Sequence, residues 1–415
     1  MNYDLIVVGG GLAGVAAAVS AARQGIKVLL IERSGSLGGA MSNSLVFPFM
    51  KFHMKDENGK RRVLSAGIFN EMRLRHIEAG GVTRHGWQAE ILKIVLDEMT
   101  LEAGVDVLFH NQLVDVNRDG RTIKSIVVAG KEGIREIEAK FFIDTSGDGD
   151  LFAFAGCDFQ LGREKDGLCQ PMTTCFRMCG VDTDLFKKEK WPLIAIYNRL
   201  QKEGKITNPR ENILEFYGLG NGVLHLNTTR VIKHNPTNDL ELSKAEMIAR
   251  KQVLEMYNFL CEYSEACKNA SLVSIAQEIG VRESRKLKGV YILTADDLKN
   301  CIDFEDSIAL GNYDIDIHNP EGTGTYIYSF KPNEYYRIPY RSLLPKEVDN
   351  LLVAGRCLSA DHEAHSSVRI LPICACMGEA AGVAASVALN TNTNAHTLDI
   401  SSVQDILVKN GAEIH

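Results

Sequence analysis

The sequence predicts an α/β fold in which an inserted α+β domain interrupts a parallel sheet and its helices. Three stretches carry this prediction. Residues 4–32 have the pattern of strand, glycine-rich turn, helix and second strand. Residues 140–148 form a buried strand that ends in a polar turn, and residues 351–389 form a buried strand followed by a long apolar helix. Residues 158–336 lack this alternation, which is typical of a separate α+β unit.

The first stretch has the order of elements that binds a dinucleotide. Residues 5–8 are an apolar run typical of a strand buried on both faces, residues 12–23 have helical character, and residues 27–31 form a second buried strand. Glu32 ends that strand, where its carboxylate can accept hydrogen bonds from both hydroxyls of an adenosine ribose. A glycine motif with strand, helix and acid in register predicts a nucleotide site far more strongly than the motif alone.

Each glycine of the motif is explained by a steric requirement. Gly9, Gly11 and Gly14 follow the G-x-G-x-x-G spacing. Gly9 allows the tight turn, Gly11 lets a pyrophosphate approach the backbone, and Gly14 lets helix and strand pack closely. Leu12 and Ala13 begin the helix, whose free N–H groups favour phosphate binding.

A membrane segment is the alternative for the first stretch, because residues 5–22 carry no charge. Such a length is close to the lower limit for a transmembrane helix. The run contains clustered glycines, however, and an acid precedes it where a signal peptide would have basic residues. The dinucleotide fold is therefore the favoured interpretation, and we expect no membrane partner.

The composition is that of a globular protein with room for two domains. The chain has 415 residues, of which 45% are hydrophobic and 24% are charged. The net charge of −7 gives no indication of a nucleic-acid partner. None of the ten cysteines forms a C-x-x-C pair, which favours reduced thiols and a cytoplasmic location. We expect no metal site, and the sequence leaves a homo-oligomer open.

The loop after Glu32 continues with E-R-x(n)-G-G, and with the preceding motif it resembles a known class of flavoproteins. The whole chain resembles the FAD-dependent oxidoreductase family, whose flavin domain is related to those of fumarate reductase and glutathione reductase. The resemblance implies a glutathione reductase-type, Rossmann-like domain with FAD as the cofactor. It also implies that this loop contacts FAD through Arg33, Gly38, Gly39, Ala40 and Met41.

The same loop argues against dithiol chemistry. Disulfide reductases of the glutathione reductase type carry a redox C-x4-C pair after their Gly-Gly element. Residues 40–43 here are Ala-Met-Ser-Asn, and Cys157 is the first cysteine of the chain.

Two further stretches complete the implied flavin site. Thr145-Ser146-Gly147-Asp148 resembles the A-T-G-D signature of flavoproteins, and Val114 is expected on the adenine side through its backbone. Near the carboxyl end, a strand ends at Gly355 and a helix that Pro372 is well placed to open follows. The positive end of that helix would stabilise negative charge on the reduced flavin. The implied cofactor residues in these stretches are Val114, Ser146, Gly147, Asp148, Gly355, Arg356, Ile370 and Pro372.

The predicted domain organisation follows from these positions. Residues 1–157 and 337–393 form a discontinuous FAD-binding domain, and residues 158–336 form a substrate or cap domain. Residues 394–415 are a carboxyl-terminal tail.

The predicted catalytic groups come from both domains. The loop before the last helix supplies His362, His365 and Arg369, and the inserted domain supplies Arg163 and Arg285. A histidine can act as the base that flavin dehydrogenation needs, and an arginine can bind a carboxylate through two hydrogen bonds. The histidines can equally serve only as hydrogen-bond partners of flavin or backbone.

Arg285 belongs to an R-E-S-R element at 282–285, which either braces the two domains or contacts substrate. Three other histidines, His225, His234 and His318, are expected at the surface or behind the site.

These observations predict an FAD-dependent oxidoreductase that transfers hydride, in dehydrogenation or reduction, to or from a small organic substrate, and the predicted arginines favour an anionic one. Because no second strand–G-x-G-x-x-G–helix unit is present, we expect an external electron donor or acceptor rather than a built-in NAD(P)H domain. The alternatives are a flavoprotein electron-transfer subunit of a complex and a flavin monooxygenase. Gly355-Arg356 stands where monooxygenases carry Gly-Asp, which counts against the last.

Overall fold

The computed structural model describes residues 3–56, 58–83 and 86–415. The strands of these residues are β1 Tyr3–Val8, β2 Val28–Ile31, β3 His53–Lys55, β4 Arg61–Val63, β5 Val82–Thr83, β6 Gly86–Trp87, β7 Asp106–Leu108, β8 Gln112–Asp119, β9 Thr122–Gly130, β10 Gly133–Asp144, β11 Phe159–Leu161, β12 Phe176–Cys179, β13 Glu215–Phe216, β14 Leu224–Leu226, β15 Ser271–Ile275, β16 Arg285–Leu287, β17 Ser307–Gly311, β18 Ile315–His318, β19 Thr325–Tyr328, β20 Tyr336–Pro339 and β21 Leu351–Val353.

The helices are α1 Leu12–Ala22, α2 Ala40–Asn43, α3 Ile68–Glu78, α4 Ala89–Ala103, α5 Asp150–Phe154, α6 Thr183–Lys202, α7 Asp239–Tyr263, α8 Ala295–Lys299, α9 His362–Val368, α10 Leu371–Thr391 and α11 Ile400–Lys409. Short 3-10 helices cover Glu265–Cys267 and Tyr340–Leu343.

The predicted α/β fold is confirmed by a parallel sheet in the order β7-β2-β1-β10-β21. Its two central strands, β1 and β2, are buried along almost their whole length, because helices and loops cover both faces. The elements that follow β1, β2, β10 and β21 all lie at the same edge of the sheet, where ligands bind in open α/β folds.

The long strand β10 begins at Gly133, earlier than the buried strand predicted from residue 140. Its first half pairs antiparallel with β9, from Gly133 to Glu138, and its second half pairs parallel with β1, from Ala139 to Asp144. No turn residue separates the halves, so the chain continues straight from the three-stranded meander β8-β9-β10 into the central sheet.

Close packing of α1 on α10 holds the two halves of the discontinuous fold together. A Cβ atom at Gly378 would lie 2.0 Å from the carbonyl oxygen of Ala13, and one at Gly382 would lie 2.2 Å from that of Ala17. These two glycines therefore allow α10 to approach the backbone of α1 closely. By length and composition α10 could cross a membrane, but 94% of its most apolar window is buried, which is typical of a core helix.

The inserted part of the chain contains a four-stranded antiparallel sheet in the order β13-β14-β12-β15. Helices α6 and α7 pack on one face of this sheet, and the hydrophobic core between them includes Phe176, Leu224, Phe186 and Met256. His225 lies on the opposite face, stacked on Phe47 with ring centroids 5.1 Å apart.

Two features of the packing bear on the predicted domain bounds. Apolar side chains between Leu293 and Tyr336 share the core of α1 and α10 instead of the core of the cap sheet. In the segment predicted as a tail, Val403 and Leu407 of α11 are buried in that same core. The bounds themselves stay a prediction, and this packing favours a cap that ends before residue 293.

Candidate functional site

A cavity of about 380 Å³ lies between the carboxyl-terminal edge of the parallel sheet and the cap. Its wall includes Gly11 after β1, Glu32 after β2, Ser146 after β10 and Gly355 after β21. The cap contributes Phe216 and its neighbours on the other side. The cavity therefore occupies the position where α/β folds bind nucleotides.

The three glycines of the motif are needed for different reasons. A Cβ atom at Gly9, whose φ is 103°, would lie 2.4 Å from the carbonyl oxygen of Thr145, and one at Gly14 would lie 1.8 Å from that of Gly9. At Gly11 a Cβ atom would meet only the Cα atom of Gly39, at 3.9 Å. Protein packing thus requires two of the glycines, whereas the third leaves room in the cavity wall for a ligand.

The first turn of α1 is free to bind an anion. Among the described residues no side chain caps Gly11, and the first turn carries no acidic residue. Leu12 and Ala13 line the cavity, and their N–H groups have no partner within the helix. Together with the open space at Gly11, these donors fit the pyrophosphate of a dinucleotide.

Glu32 lies at the cavity wall in a fixed orientation. Its two carboxylate oxygens accept hydrogen bonds from the backbone N–H groups of Gly10, at 2.6 Å, and Ser34, at 2.7 Å. A carboxylate offers about four lone-pair sites, so the remaining ones can accept the hydroxyls of a ribose. The next residue, Arg33, pairs with Glu278 at 2.5 Å.

Most of the residues predicted to contact the cofactor line this one cavity. Those in its wall are Gly9, Gly11, Leu12, Ala13, Glu32, Arg33, Gly38, Gly39, Ala40, Ser146, Gly147, Asp148, Gly355, Arg356 and Ile370.

Four predicted cofactor residues lie outside the cavity wall. Gly14 and Met41 are buried in packing contacts, and Pro372 is buried in the first turn of α10. Val114 lies at a bulge in β8, where the pairing with β9 passes from Leu113 to Asp115. Its backbone is therefore outside the regular ladder, and its side chain is exposed.

The R-E-S-R element at 282–285 divides between two roles. Ser284 accepts a hydrogen bond from Arg356 at 2.8 Å, and Arg356 also pairs with Asp148 at 2.8 Å. Arg285 pairs with Asp150 at 2.8 Å. These contacts brace the cavity wall from behind, whereas Arg282 itself lines the cavity.

The predicted catalytic histidines are engaged behind the cavity wall. The Nδ1 atom of His362 lies 2.9 Å from Glu283, which also pairs with Lys286 at 2.5 Å. His365 is completely buried, and its Nε2 atom lies 2.7 Å from the carbonyl oxygen of Arg356. Burial lowers the pKa of His365 well below its ordinary value, so this ring is neutral.

The predicted catalytic arginines divide between the cavity wall and positions outside it. Arg163 pairs with Asp166 at 2.6 Å and with Glu321 at 2.9 Å, away from the cavity wall. Arg285 is held by Asp150, as described above. Of the five residues predicted to be catalytic, the cavity wall includes Arg369 alone.

Arg282 and Arg369 are two cationic residues of the cavity wall, and the part of the wall that contains them is here called the substrate end. Both are mostly buried. Arg282 donates to the carbonyl oxygen of Pro171 and to Thr173 Oγ1, and Arg369 donates to Gln170 Oε1 at 3.2 Å. Among the described residues, neither guanidinium has a carboxylate oxygen within 4 Å. Burial, followed by the charge of Arg369, lowers the pKa of Arg282 to about 9.

A cluster of three polar residues, Tyr313, Asp316 and His318, also lines the cavity, at and just before β18. Tyr313 donates its hydroxyl proton to Asp316 at 3.0 Å, and Asp316 lies 3.6 Å from His318 Nε2. Burial opposes ionisation of Asp316, but His318 and Arg369 hold its pKa well below the ordinary value. Burial lowers the pKa of His318 to about 3, so the imidazole is neutral.

The tautomer of His318 follows from its other neighbour. Arg230 Nη2 lies 3.2 Å from His318 Nδ1, and a guanidinium can only donate. Nδ1 must then accept, which leaves the proton on Nε2 and directs it at Asp316. Of the two positions expected for His318 and His225, at the surface or behind the site, their burial excludes the surface.

A continuous strap, residues 278–282, lines the cavity on the cap side. Glu278, at one end of the strap, forms an ion pair with Arg33. In its middle, the N–H group of Gly280 donates to the carbonyl oxygen of Thr173 at 2.7 Å, and the N–H group of Thr173 donates to that of Gly280 at 3.0 Å. Arg282 ends the strap beside the substrate end. Sequence reasoning noted the R-E-S-R element but gave no indication of this covering segment.

The fold and the site define a flavoprotein of the class that binds FAD at a Rossmann-like sheet. A family comparison agrees: the model of the FAD dependent oxidoreductase family matches residues 4–407. The chain belongs to this family, and FAD is its cofactor.

Similar proteins include reductases and dehydrogenases. Digeranylgeranylglycerophospholipid reductase 2 of Methanothermobacter thermautotrophicus is 30% identical over 193 residues, which are 44% of this chain and 49% of that protein. Dihydrolipoyl dehydrogenase of Manduca sexta is 26% identical over 170 residues, 38% of this chain and 31% of that protein. The matched part thus spans half or less of the length of these relatives.

Among solved structures, a geranylgeranyl bacteriochlorophyll reductase-like protein from Thermoplasma acidophilum has 14% identity and a TM-score of 0.49. The comparison covers 99% of this chain and 84% of that one. A likeness of this degree says nothing about the substrate.

Proposed function

We propose that the protein transfers hydride between bound FAD and a small organic anion. The observation that carries this proposal is the pair Arg282 and Arg369, which lie in the cavity wall without a carboxylate partner among the described residues. A buried cation without a counter-ion is costly, and an anionic ligand removes that cost. Two guanidinium groups offer several donors in planar arrays, which suit a carboxylate.

In the proposed reaction the cavity residues and the cofactor have separate roles. FAD supplies the hydride acceptor or donor when it is bound. Arg282 and Arg369 bind and orient the anionic group of the substrate. Tyr313 directs its own proton at Asp316, so its hydroxyl oxygen is free to accept a hydrogen bond from a substrate hydroxyl or amine.

The pair Tyr313 and Asp316 orients the substrate rather than taking up its proton. Because the pKa of Asp316 is held well below its ordinary value, the carboxylate stays ionised and accepts the Tyr313 proton in a hydrogen bond of 3.0 Å. The Nε2 atom of His318 lies 3.6 Å from the same carboxylate. His362 and His365, which were expected to act as bases, are engaged outside the cavity wall.

Replacement of either cavity arginine by lysine is expected to weaken anion binding about tenfold, because the charge remains but the planar fork is lost. Titration of the FAD-loaded protein with acetate, followed through the flavin absorbance, measures this effect. Arg163→Lys is the matched control, since Arg163 is paired outside the cavity wall. Unchanged acetate binding in both Arg282→Lys and Arg369→Lys would refute the proposal, and loss of FAD from Arg369→Lys would make Arg369 a cofactor residue.

The electrons are proposed to come from, or go to, an external partner. Among the described residues there is one parallel sheet, and β1, α1 and β2 form its nucleotide-binding unit. We therefore expect NADH and NADPH alone to reduce the flavin slowly in a stopped-flow experiment. Reduction at ordinary turnover rates, on the order of 1–1000 per second, would contradict this expectation.

The cavity favours an enzyme over the alternatives. A cavity between the edge of the sheet and the cap suits catalysis on a small molecule, whereas an electron-transfer subunit needs only a docking surface. At the position where monooxygenases carry an acid, Arg356 is committed to Asp148 and Ser284. We also propose a cytoplasmic location, because all ten cysteines are unpaired thiols.

A further inference from the structure

The short segment of the cap that runs from Gln170 to Thr173 supplies acceptors to both arginines of the cavity wall. The side-chain carbonyl oxygen of Gln170 accepts a hydrogen bond from Arg369 Nη2 at 3.2 Å. The carbonyl oxygen of Pro171 and the hydroxyl of Thr173 accept from Arg282 at 2.6 and 2.5 Å. All three acceptors are neutral oxygens, so each guanidinium is held in place without losing its charge.

The backbone of this segment is itself bonded to three neighbouring parts of the chain. The N–H group of Gln170 donates to the buried carboxylate of Glu283 at 3.0 Å. The backbones of Met172 and Val231 exchange two hydrogen bonds of 2.9 Å, and Thr173 is bonded to the strap as described above. The segment is therefore a fixed support for the side chains that line the cavity.

The orientation of the Gln170 amide follows from its neighbours. Its Oε1 atom accepts from Arg369 and from the backbone N–H group of His318, at 3.2 Å in each case. Because both neighbours can only donate, the amide oxygen and not the amide nitrogen must face them. The side chain is 1% exposed, and its Nε2 atom has no hydrogen-bond partner within the described part of the chain. The carbonyl is thus the end of this side chain that the surrounding residues use.

A neutral partner has a particular consequence for Arg369. The other acceptors of its guanidinium are the backbone carbonyl oxygens of Ser366, at 3.3 Å, and Asp316, at 3.4 Å. Its Nη1 atom has no hydrogen-bond partner among the residues described, so it is available to a ligand. A carboxylate in place of the Gln170 amide would hold the guanidinium as well, but it would also neutralise the charge and compete with an anionic ligand.

We propose that Gln170 is a positioning residue for the anionic substrate: it fixes the guanidinium of Arg369 in the cavity wall and leaves its charge available. This inference rests on the proposed function, which assigns the anion to Arg282 and Arg369. Gln170 lies outside the cavity wall, so it acts through its hydrogen bond to Arg369 and not through contact with the substrate.

Gln170→Glu tests this role, because the variant keeps the shape of the side chain and adds one negative charge. FAD-loaded protein is titrated with acetate at constant ionic strength, and the dissociation constant is read from the flavin absorbance. We expect the affinity for acetate to fall at least about tenfold, since the new carboxylate occupies the charge of Arg369. The free energy of unfolding in denaturant should not fall, because a mostly buried cation gains a counter-ion.

Two further variants make the result specific. Gln170→Met keeps the length of the side chain but removes the acceptor, and it also covers the case in which Gln170→Glu does not fold. We expect its affinity for acetate to fall about threefold or more, and its free energy of unfolding to fall too, because His318 N–H loses its acceptor. Gln112→Glu is the matched control: Gln112 is exposed in β8, outside the cavity wall, and the same added charge should change neither quantity.

The outcomes separate this inference from the proposed function. Wild-type affinity for acetate in Gln170→Glu or in Gln170→Met would overturn the role of Gln170 and leave the anionic substrate standing. A loss of stability in Gln170→Glu as large as that in Gln170→Met would make Gln170 a purely structural residue, which also overturns the inference. Loss of FAD from Gln170→Glu would assign Arg369 to the cofactor and overturn it in another way. If acetate does not perturb the flavin of the wild-type protein, the proposed function fails and the positioning role fails with it.

Discussion

The Gly11→Val variant is expected to fold but to be purified without FAD. Gly11 has an ordinary φ of −66°, and a Cβ atom there would meet only the Cα atom of Gly39, at 3.9 Å. The valine side chain would instead fill the space in front of Leu12 and Ala13. Loss of two hydrogen bonds to a charged phosphate costs about 3–6 kcal/mol, which is a hundredfold or more in affinity.

Flavin absorbance and a thermal melt of the same sample measure this result. Gly322→Val is the matched control, because Gly322 has open space around its Cβ position and no positive φ. We expect the control to keep its FAD. A Gly11→Val protein that remained yellow with one FAD per chain would show that the pyrophosphate does not lie at this turn.

The Gly378→Ala variant should lose stability even though one methyl group is added. Its Cβ atom would lie 2.0 Å from the carbonyl oxygen of Ala13, and backbone cannot move aside as a flexible side chain can. Helices α1 and α10 must therefore separate, at a cost of about 3 kcal/mol or more in the free energy of unfolding. Because Ala13 lines the cavity, FAD binding should weaken as well.

Denaturant unfolding in the presence of excess FAD measures the change in the free energy of unfolding. The matched control is Gly322→Ala, which should change the free energy of unfolding by less than about 1 kcal/mol. If Gly378→Ala were as stable as this control, the close approach of the two helices would not exist in solution.

The nucleotide half of the site could be predicted from the sequence because its information is local. The strand, the glycine turn, the helix and Glu32 lie within one short stretch, and each has a steric or electrostatic reason that can be stated without the rest of the chain. The structure adds one distinction: packing requires Gly9 and Gly14, whereas space for the ligand requires Gly11.

The substrate end could not be predicted in the same way. Arg282, Asp316 and Arg369 come from separate segments, and no spacing in the sequence relates them. The sequence pointed to the H-E-A-H stretch instead, since histidines near a flavin are chemically attractive. Their roles depend on partners distant in sequence: His362 meets Glu283, and His365 meets the backbone of Arg356. Only the packing of the cap on the sheet reveals that such groups face away.

The strap at 278–282 has a kinetic consequence for the cofactor. If FAD binds between the strap and the edge of the sheet, its release requires the strap to lift, which breaks the Arg33–Glu278 pair and the two backbone hydrogen bonds between Gly280 and Thr173. Such local opening is infrequent compared with the motion of a free loop. Dissociation would then be gated by the cap and would be slow whatever the equilibrium affinity, so the holoprotein should exchange its flavin over a long residence time.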